Sequence, residues 1–210
     1  MNTCIFCGKA IQRELSLSRI FSFQTIPEPI ICEKCLAQFE VLDDKTACLH
    51  CFRKQEDTLI CSDCLDWQTI TPQLLPKHKA IYSYNEMAKQ YLDQFKFQGD
   101  LLLSDCFQEE LRLKLKPYQK THHIVPIPLS HFGKERRGFN QVEMLLGSAG
   151  IVYEDWLVLG EDEKFRANVS RKIEKSVLIV DDMYSTGRTI FNARAVFENE
   201  ALTESFSLFR

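Results

Sequence analysis

Long hydrophobic runs are missing from this sequence. No apolar stretch approaches the ~18 residues that a membrane-spanning helix needs. The first ten residues, MNTCIFCGKA, also lack the basic segment followed by an apolar one that is typical of a secretory signal peptide. Together these two absences predict a cytoplasmic protein without membrane insertion.

An excess of charge of one sign is missing as well. The 26 basic and 29 acidic side chains give a net charge of −3 over 210 residues. This balance excludes a uniformly basic nucleic-acid-binding protein, although it permits local basic patches. With 45% hydrophobic residues, the chain is long enough for one α/β domain of ordinary size and a small additional module.

Cysteines, in contrast, are abundant near the start of the sequence. Because the cytosol keeps thiols reduced, they indicate metal ligands rather than disulfides. Two C-x-x-C turns can complete one tetrahedral zinc site, so four turns predict a zinc-ribbon module with two structural zinc ions. The predicted ligands are Cys4, Cys7, Cys32, Cys35, Cys48, Cys51, Cys61 and Cys64.

The spacing of the four cysteine pairs permits two ways of sharing the zinc ions. Sequential pairing joins the first pair to the second and the third to the fourth. A cross-brace instead joins the first pair to the third. Sequential pairing closes shorter loops, and we therefore favour it. Zinc ribbons bind DNA, RNA or protein, so the partner of the module stays open at this point.

The sequence divides into a cysteine-rich module over residues 1–66, a linker over 67–78 that contains Pro72 and Pro76, and an α/β domain over 79–210. In this domain, strand patterns alternate with helix patterns, which predicts a mostly parallel sheet with flanking helices. The predicted strands are residues 79–84, 123–128, 156–159, 177–180 and 205–209. The predicted helices follow Asn85 up to Gly99 and cover 101–116, 139–146 and 188–199.

Residues 177–189, VLIVDDMYSTGRT, carry the most informative pattern. An apolar run typical of a buried strand is followed by Asp181 and Asp182 and by a turn rich in hydroxyl groups. The backbone N–H groups of such a turn, together with the start of a helix, can cradle a phosphate. Carboxylates would repel that phosphate, so we expect them to bind sugar hydroxyls or Mg²⁺ of the same ligand. The pattern therefore predicts a sugar-phosphate site.

This stretch resembles the phosphoribosyl-diphosphate motif of type I phosphoribosyltransferases. The resemblance implies a type I phosphoribosyltransferase-like fold and a ligand of phosphoribosyl diphosphate with Mg²⁺. It assigns the ribose hydroxyls to Asp181 and Asp182, the candidate catalytic residues. It assigns the 5′-phosphate to the turn and the start of the next helix, formed by Met183, Tyr184, Ser185, Thr186, Gly187, Arg188 and Thr189.

Other segments resemble the ComF family, which takes part in DNA uptake during natural competence. These segments are FKFQGD at residues 95–100, VPIPLS at 125–130 and RRGFNQ at 136–141. The resemblance implies a competence factor that handles incoming single-stranded DNA, with a zinc module that contacts DNA or a partner ATPase/translocase. Residues 129–138 are expected to form a loop whose Lys134, Arg136 and Arg137 bind diphosphate or DNA phosphates. Phe132 and Phe139 are available nearby for stacking on bases.

Two alternatives remain open beside this role. The domain could be an active Mg²⁺-dependent phosphoribosyltransferase with an unidentified acceptor, or a sensor that binds phosphoribosyl diphosphate without turnover. Residues 160–176 are short for the mobile loop that covers the site in the phosphoribosyltransferases. The sequence therefore predicts ligand binding more strongly than group transfer.

Overall fold

The computed structural model describes residues 3–11, 29–56, 59–70, 75–170, 172–197 and 202–210. The chain divides into two compact units, Met1–Phe39 and Glu40–Arg210. The first two cysteine pairs lie in the smaller unit and the last two in the larger one. A separate domain over residues 1–66, followed by a linker over 67–78, stays a prediction. Residues 71–74 of that linker lie outside the described residues.

The smaller unit is built around its cysteine turns. Its helix α1 (Glu33–Leu36) begins directly after Cys32, and the Cys32 carbonyl oxygen accepts hydrogen bonds from the backbone N–H groups of Cys35 and Leu36. Phe6 and Phe39 pack edge to face with their ring centroids 6.2 Å apart. Among the described residues of this unit, 3–11 and 29–39, the apolar contact is small, so metal binding would add folding free energy there.

The larger unit contains six strands within the part of the chain that the structure describes. They are β1 (His78–Tyr82), β2 (His122–Pro126), β3 (Leu157–Leu159), β4 (Phe165–Ala167), β5 (Ser176–Met183) and β6 (Thr203–Phe209). Four of them form a parallel sheet in the order β1-β6-β5-β2. This sheet confirms the predicted fold class. As its unbroken apolar run predicted, β5 is buried along nearly its whole length.

The remaining two strands form a separate antiparallel hairpin. A short strand near residues 156–159 was expected, and β3 lies there, but it pairs with β4 and not with the parallel sheet. The backbone N–H of Gly160 donates to the Lys164 carbonyl, and Arg166 donates twice to Asp162 across the turn. Residues 160–176 therefore contain the second strand of a hairpin.

Helices flank the parallel sheet. They are α2 (Ser62–Ile70), α3 (Glu86–Asp93), α4 (Gln108–Leu115), α5 (His131–Arg137), α6 (Gln141–Ser148) and α7 (Arg188–Ala195). The Asn85 side chain caps α3 by accepting a hydrogen bond from the Ala88 N–H, as its position in the sequence predicted. The helix continues as a π-helical turn over Gln94–Gln98 and ends at Gly99.

Two details of the helix prediction are wrong. Residues 101–116 are not one α-helix, because a 3₁₀ helix over Leu101–Phe107 precedes α4. With three residues per turn, it buries Leu103 and Cys106 on one side, next to Phe107. Residues 129–138 are not a loop either. They contain α5, which begins because the Ser130 hydroxyl accepts a hydrogen bond from the Gly133 N–H at 3.0 Å.

Aromatic rings and cysteines fill the core of the larger unit. Tyr91, Phe107 and Phe209 pack with ring centroids 5.1–6.0 Å apart. A second cluster contains Val177 and Ile179 of β5, the apolar side of α7, Tyr184, Trp156 and all four cysteines of the second group. The second cysteine group is therefore part of the core beside β5. Within the described residues, no helix has both the length and the apolar character needed to cross a bilayer.

Candidate functional site

The eight paired cysteines form two groups of four. The sulfur atoms of Cys4, Cys7, Cys32 and Cys35 all lie within 4.8 Å of one another, and so do those of Cys48, Cys51, Cys61 and Cys64. This arrangement confirms the sequential pairing.

The sulfur–sulfur distances test whether zinc fits these groups. They are 3.8 Å for Cys7 and Cys32, 3.9 Å for Cys48 and Cys64, and 3.5 Å for Cys51 and Cys61. A tetrahedral ion with Zn–S bonds of ~2.3 Å separates its ligands by about 3.8 Å. Both groups therefore fit a structural zinc ion with no open coordination position. Their thiolates would hold the ion, whose contribution is folding free energy rather than chemistry.

The second group has a cation beside it. The Arg210 Nη2 atom lies 3.1 Å from the Cys51 sulfur, and the guanidinium Nε donates to the Cys51 carbonyl oxygen at 2.9 Å. A hydrogen bond from Cys64 and the charge of Arg210 outweigh the effect of burial and lower the pKa of Cys51 to about 4. Cys51 is thus suited to remain a thiolate, the form that binds zinc.

The paired acids lie at the carboxyl end of β5. Asp181 and Asp182 are both buried. The Lys96 ammonium lies 2.5 Å from Oδ2 of Asp182, and the Gln141 side-chain amide donates to Oδ1 at 3.2 Å. Open α/β sheets bind ligands at this edge, where the strand ends and the next helix begins.

Burial and the neighbouring charges divide the roles of the two acids. Burial raises the pKa of Asp181 well above its usual range, and the charge of Asp182 adds to this effect. Burial also opposes ionisation of Asp182, but the charge of Lys96 and the hydrogen bonds from Lys96, Asp181 and Gln141 together outweigh it and lower the pKa of Asp182. These surroundings favour the protonated form of Asp181 and the ionised form of Asp182. Such a pair can donate to one sugar hydroxyl and accept from its neighbour.

A tight turn connects the acids to α7. We call Tyr184, Ser185, Thr186 and Gly187 the phosphate turn. Gly187 has a φ of 82°, and a Cβ atom on it would lie 2.2 Å from the Tyr184 hydroxyl oxygen. The turn therefore requires glycine at this position. Met183 is half-buried, and the side chains of Ser185, Thr186, Arg188 and Thr189 are exposed around the start of α7.

The three predicted basic residues all lie in α5 but differ in their surroundings. Arg137 donates to the Gln141 side-chain oxygen at 2.8 Å, and Gln141 in turn donates to Asp182. Arg137 is thus linked to the acids through one side chain. Arg136 is exposed, with its guanidinium 4.9 Å from the centre of the Phe97 ring. Lys134 lines a cavity of about 570 Å³ together with Asn140, Glu143 and β3.

Three residues of this region were missed by the sequence analysis. Lys96 and Gln141 bind Asp182, and Phe97 lies beneath Arg136 and Arg137. All three lie in the segments FKFQGD and RRGFNQ, which carry the resemblance to the ComF family. A signal was therefore present, although it was not assigned to individual side chains.

Fold and site together define a class: a parallel α/β protein with paired acids at the end of a central strand and two tetracysteine groups fitted to zinc. No known family profile matches the chain. It is 31% identical over 224 residues to Competence protein ComFC of Streptococcus pneumoniae, and the match covers 99% of each chain. It is 28% identical to Competence protein ComFC of Bacillus subtilis, with 99% of this chain and 94% of the relative covered.

A shorter match reaches a third relative. Competence protein F of Haemophilus influenzae is 27% identical over 122 residues, which cover 55% of this chain and 50% of that protein. The match to the Streptococcus pneumoniae protein, at 31% identity over 99% of each chain, shows that this chain belongs to the family of ComFC competence proteins. The family resemblance predicted from the sequence is confirmed.

Proposed function

We propose that this protein is a competence factor that handles incoming single-stranded DNA and whose α/β domain binds phosphoribosyl diphosphate with Mg²⁺. Its relatives, the ComFC competence proteins of Streptococcus pneumoniae and Bacillus subtilis, support the competence role. The observation that supports the ligand is the combination of two buried acids, one of them paired with Lys96, and a turn that leads directly into a helix. The acids match two neighbouring ribose hydroxyls, and the phosphate turn matches the 5′-phosphate.

Arg137 adds support for an anionic group beside the acids. Its Nε atom is buried, and within the described parts of the chain no group accepts a hydrogen bond from it. A buried donor without a partner is costly, and the positive charge of the guanidinium would favour an anionic group close to the acids. Mg²⁺ would be held by oxygen ligands, which the ionised Asp182 carboxylate and the diphosphate oxygens could supply.

Calorimetric titration with phosphoribosyl diphosphate and MgCl₂ tests the ligand. We expect heat of binding from the wild-type protein and its loss in the double variant Asp181→Asn with Asp182→Asn. Asp162→Asn is the matched control, because Asp162 is an exposed acid paired with Arg166 in the hairpin. Absence of heat from the wild-type protein at millimolar ligand would refute the proposed ligand.

An exposed surface with aromatic and basic side chains supports contact with single-stranded DNA. Phe97 and Phe132 are 54% and 69% exposed, and Arg136 and Arg137 lie against the Phe97 ring. Lys134 belongs to the same helix as both arginines. Aromatic rings stack on bases while nearby cations bind the phosphates, a combination that tolerates any sequence.

Fluorescence polarisation with a labelled single-stranded oligonucleotide tests this surface. Phe132→Ala should weaken binding about tenfold, because a stacked base is worth ~1–3 kcal/mol. Arg136→Glu should weaken binding to a similar extent, because it replaces a cation that binds phosphate with an anion. Three phosphate contacts predict a salt slope of about −2. Arg112→Glu is the control, since Arg112 is an exposed arginine of α4 that pairs with Glu109. Equal binding by all the variants would exclude this surface. Contact of the zinc groups with DNA or a partner ATPase/translocase remains a separate prediction.

Group transfer is a second candidate, favoured by the cavity of about 570 Å³ beside β3. Asn140, Glu143 and Asn168 give this cavity amide and carboxylate groups that an amine or a nucleobase acceptor could use. Mass spectrometry after incubation with phosphoribosyl diphosphate, Mg²⁺ and candidate nitrogen compounds distinguishes the alternatives. A ribosylated product would indicate a phosphoribosyltransferase, whereas binding without product or released diphosphate would indicate a sensor.

A further inference from the structure

Arg210 contacts the second cysteine group and the phosphate turn with one side chain. Toward the cysteines, it donates to the Cys51 carbonyl and lies 3.1 Å from the Cys51 sulfur. Toward the turn, its Nη1 donates to the carbonyl oxygens of Ser185 at 3.1 Å and Tyr184 at 3.4 Å. The guanidinium also lies 4.8 Å from the centre of the Tyr184 ring. Only 9% of the Arg210 side chain is exposed.

Trp67 forms a second link between the same two features. It lies on α2, which also carries Cys64 and begins directly after Cys61. Its indole N–H donates to the Thr186 carbonyl at 3.2 Å, and its ring stacks on Phe191 of α7 with the centroids 4.9 Å apart. Three successive carbonyl groups of the phosphate turn are thus held by side chains anchored at the second cysteine group.

Holding these carbonyls also sets the direction of the N–H groups. In a planar trans peptide, the C=O of one residue and the N–H of the next point in opposite directions. The bonds to the carbonyls of Tyr184, Ser185 and Thr186 therefore turn the N–H groups of Ser185, Thr186 and Gly187 away from Arg210 and Trp67. Within the described residues, no group accepts a hydrogen bond from these three N–H groups. They are available to a phosphate.

We propose that Arg210, assisted by Trp67, is a positioning residue that couples the second cysteine group to the phosphate turn. Zinc held by Cys48, Cys51, Cys61 and Cys64 fixes Cys51 and α2, and these fix the orientation of the turn. Occupancy of this zinc site therefore sets the affinity of the turn for a sugar phosphate. The ligand rests on the function proposed above, whereas the coupling itself does not.

Two variants break the coupling without removing a zinc ligand. Arg210→Gln removes the guanidinium group that contacts both Cys51 and the phosphate turn. Trp67→Phe keeps the stacking on Phe191 but loses the hydrogen bond to the Thr186 carbonyl. Arg53→Gln is the matched control, because Arg53 is an exposed arginine beside the same cysteine group that pairs with Asp63. Zinc content by mass spectrometry should remain two ions per chain in all three variants.

Backbone ¹⁵N relaxation measures the coupling in the absence of ligand. We expect order parameters at Ser185, Thr186 and Gly187 to fall from about 0.85 to below about 0.6 in Arg210→Gln, and to stay unchanged in Arg53→Gln. Unchanged order parameters in Arg210→Gln would overturn the proposal. This result does not depend on the identity of the ligand.

Calorimetry with phosphoribosyl diphosphate and MgCl₂ measures the consequence. Arg210→Gln should bind about tenfold more weakly than the wild-type protein, and Cys61→Ser should do the same by emptying the zinc site. Because both changes act through one connection, the double variant should lose no more than either single variant. Wild-type affinity in Arg210→Gln would overturn the proposal. If the wild-type protein itself does not bind, the proposed ligand fails, and the relaxation data still decide the coupling.

Discussion

Lys96 and Asp182 bury opposite charges against each other, with 14% and 4% of their side chains exposed. Removing one partner of a buried pair leaves an uncompensated charge, which costs more than losing an exposed pair. We therefore expect Lys96→Met to lower the free energy of unfolding at neutral pH by about 3 kcal/mol. Urea denaturation measures this change.

An exposed ion pair is the control for Lys96. Arg112→Met removes the partner of Glu109 on α4 and should change the free energy of unfolding very little, because solvent screens an exposed pair. The loss in Lys96→Met should also shrink as the pH falls, because protonation of Asp182 removes the stranded charge. Equal losses in the two variants would contradict the role of Lys96.

Neutralising Asp181 and neutralising Asp182 should change the free energy of unfolding in opposite directions. The pKa of Asp181 is raised in the folded protein, so above the ordinary aspartate pKa of about 3.9 its ionisation favours the unfolded chain. Asp181→Asn should therefore stabilise the protein at pH 7, with no gain at pH 3.

Asp182→Asn should have the opposite effect. The pKa of Asp182 is lowered in the folded state, so its ionised carboxylate stabilises the fold above about pH 4. This contribution to stability is lost as the pH falls through the folded pKa. The variant leaves Lys96 without its carboxylate and should be destabilised at pH 7. Urea unfolding at several pH values measures both acids. The same sign for both substitutions at pH 7 would show that the division of charge is wrong.

At the scale of single elements, the phosphate turn depends on Gly187. Gly187→Ala introduces a Cβ atom into the Tyr184 ring at a backbone φ of 82° and should cost ~2 kcal/mol or more. Gly150→Ala is the control, because Gly150 has a φ of +65° but no atom within 4 Å of the added Cβ. It should cost only ~1 kcal/mol. The difference between the two melting temperatures isolates the collision with Tyr184.

Elements with local signals were the ones that the sequence predicted well. Asn85 caps the start of α3, and Gly99 ends its π-helical continuation, as the sequence predicted. The apolar run before Asp181 similarly marks β5. By contrast, α5 has only seven residues, too few for a clear helical periodicity. The basic side chains of this segment indicated an exposed loop, although Ser130 caps a helix. The pairing of β3 with β4 also went unpredicted, since residues 165–167 carry no strand pattern of their own.

The residues of the candidate site also fall into those that a local sequence motif predicts and those that only the fold brings together. Asp181, Asp182 and the phosphate turn are contiguous in the sequence, so their proximity follows from one motif. Arg210 and Cys51 are 159 positions apart, and no local pattern brings them together. Lys96 belongs to a π-helical turn that shifts its register relative to an α-helix, so helical periodicity does not place it beside Asp182.

At the scale of the whole molecule, the two cysteine groups should contribute differently to stability. The second group packs with Trp156 and Tyr184 in the core of the larger unit. We expect Cys61→Ser to lower its free energy of unfolding by about 3 kcal/mol or more, because zinc binding there is folding free energy. Thermal unfolding followed by tryptophan emission measures this unit, since Trp67 and Trp156 both belong to it.

Cys7→Ser is the matched substitution for this experiment. It removes one zinc ligand from the smaller unit, which contains no tryptophan. The tryptophan transition should therefore move much less than in Cys61→Ser. Equal shifts of the tryptophan transition in Cys7→Ser and Cys61→Ser would contradict the prediction that the second cysteine group stabilises the larger unit more than the first.

The order of strands in the sheet also bears on how the protein is made. Among the described strands, β1 pairs with β6 alone, and β6 separates it from β5. During synthesis, β1 leaves the ribosome more than a hundred residues before the strand that completes its ladder. The parallel sheet therefore closes late, around its last strand. Until then, β1 exposes unpaired backbone groups that a chaperone can protect from association with other chains.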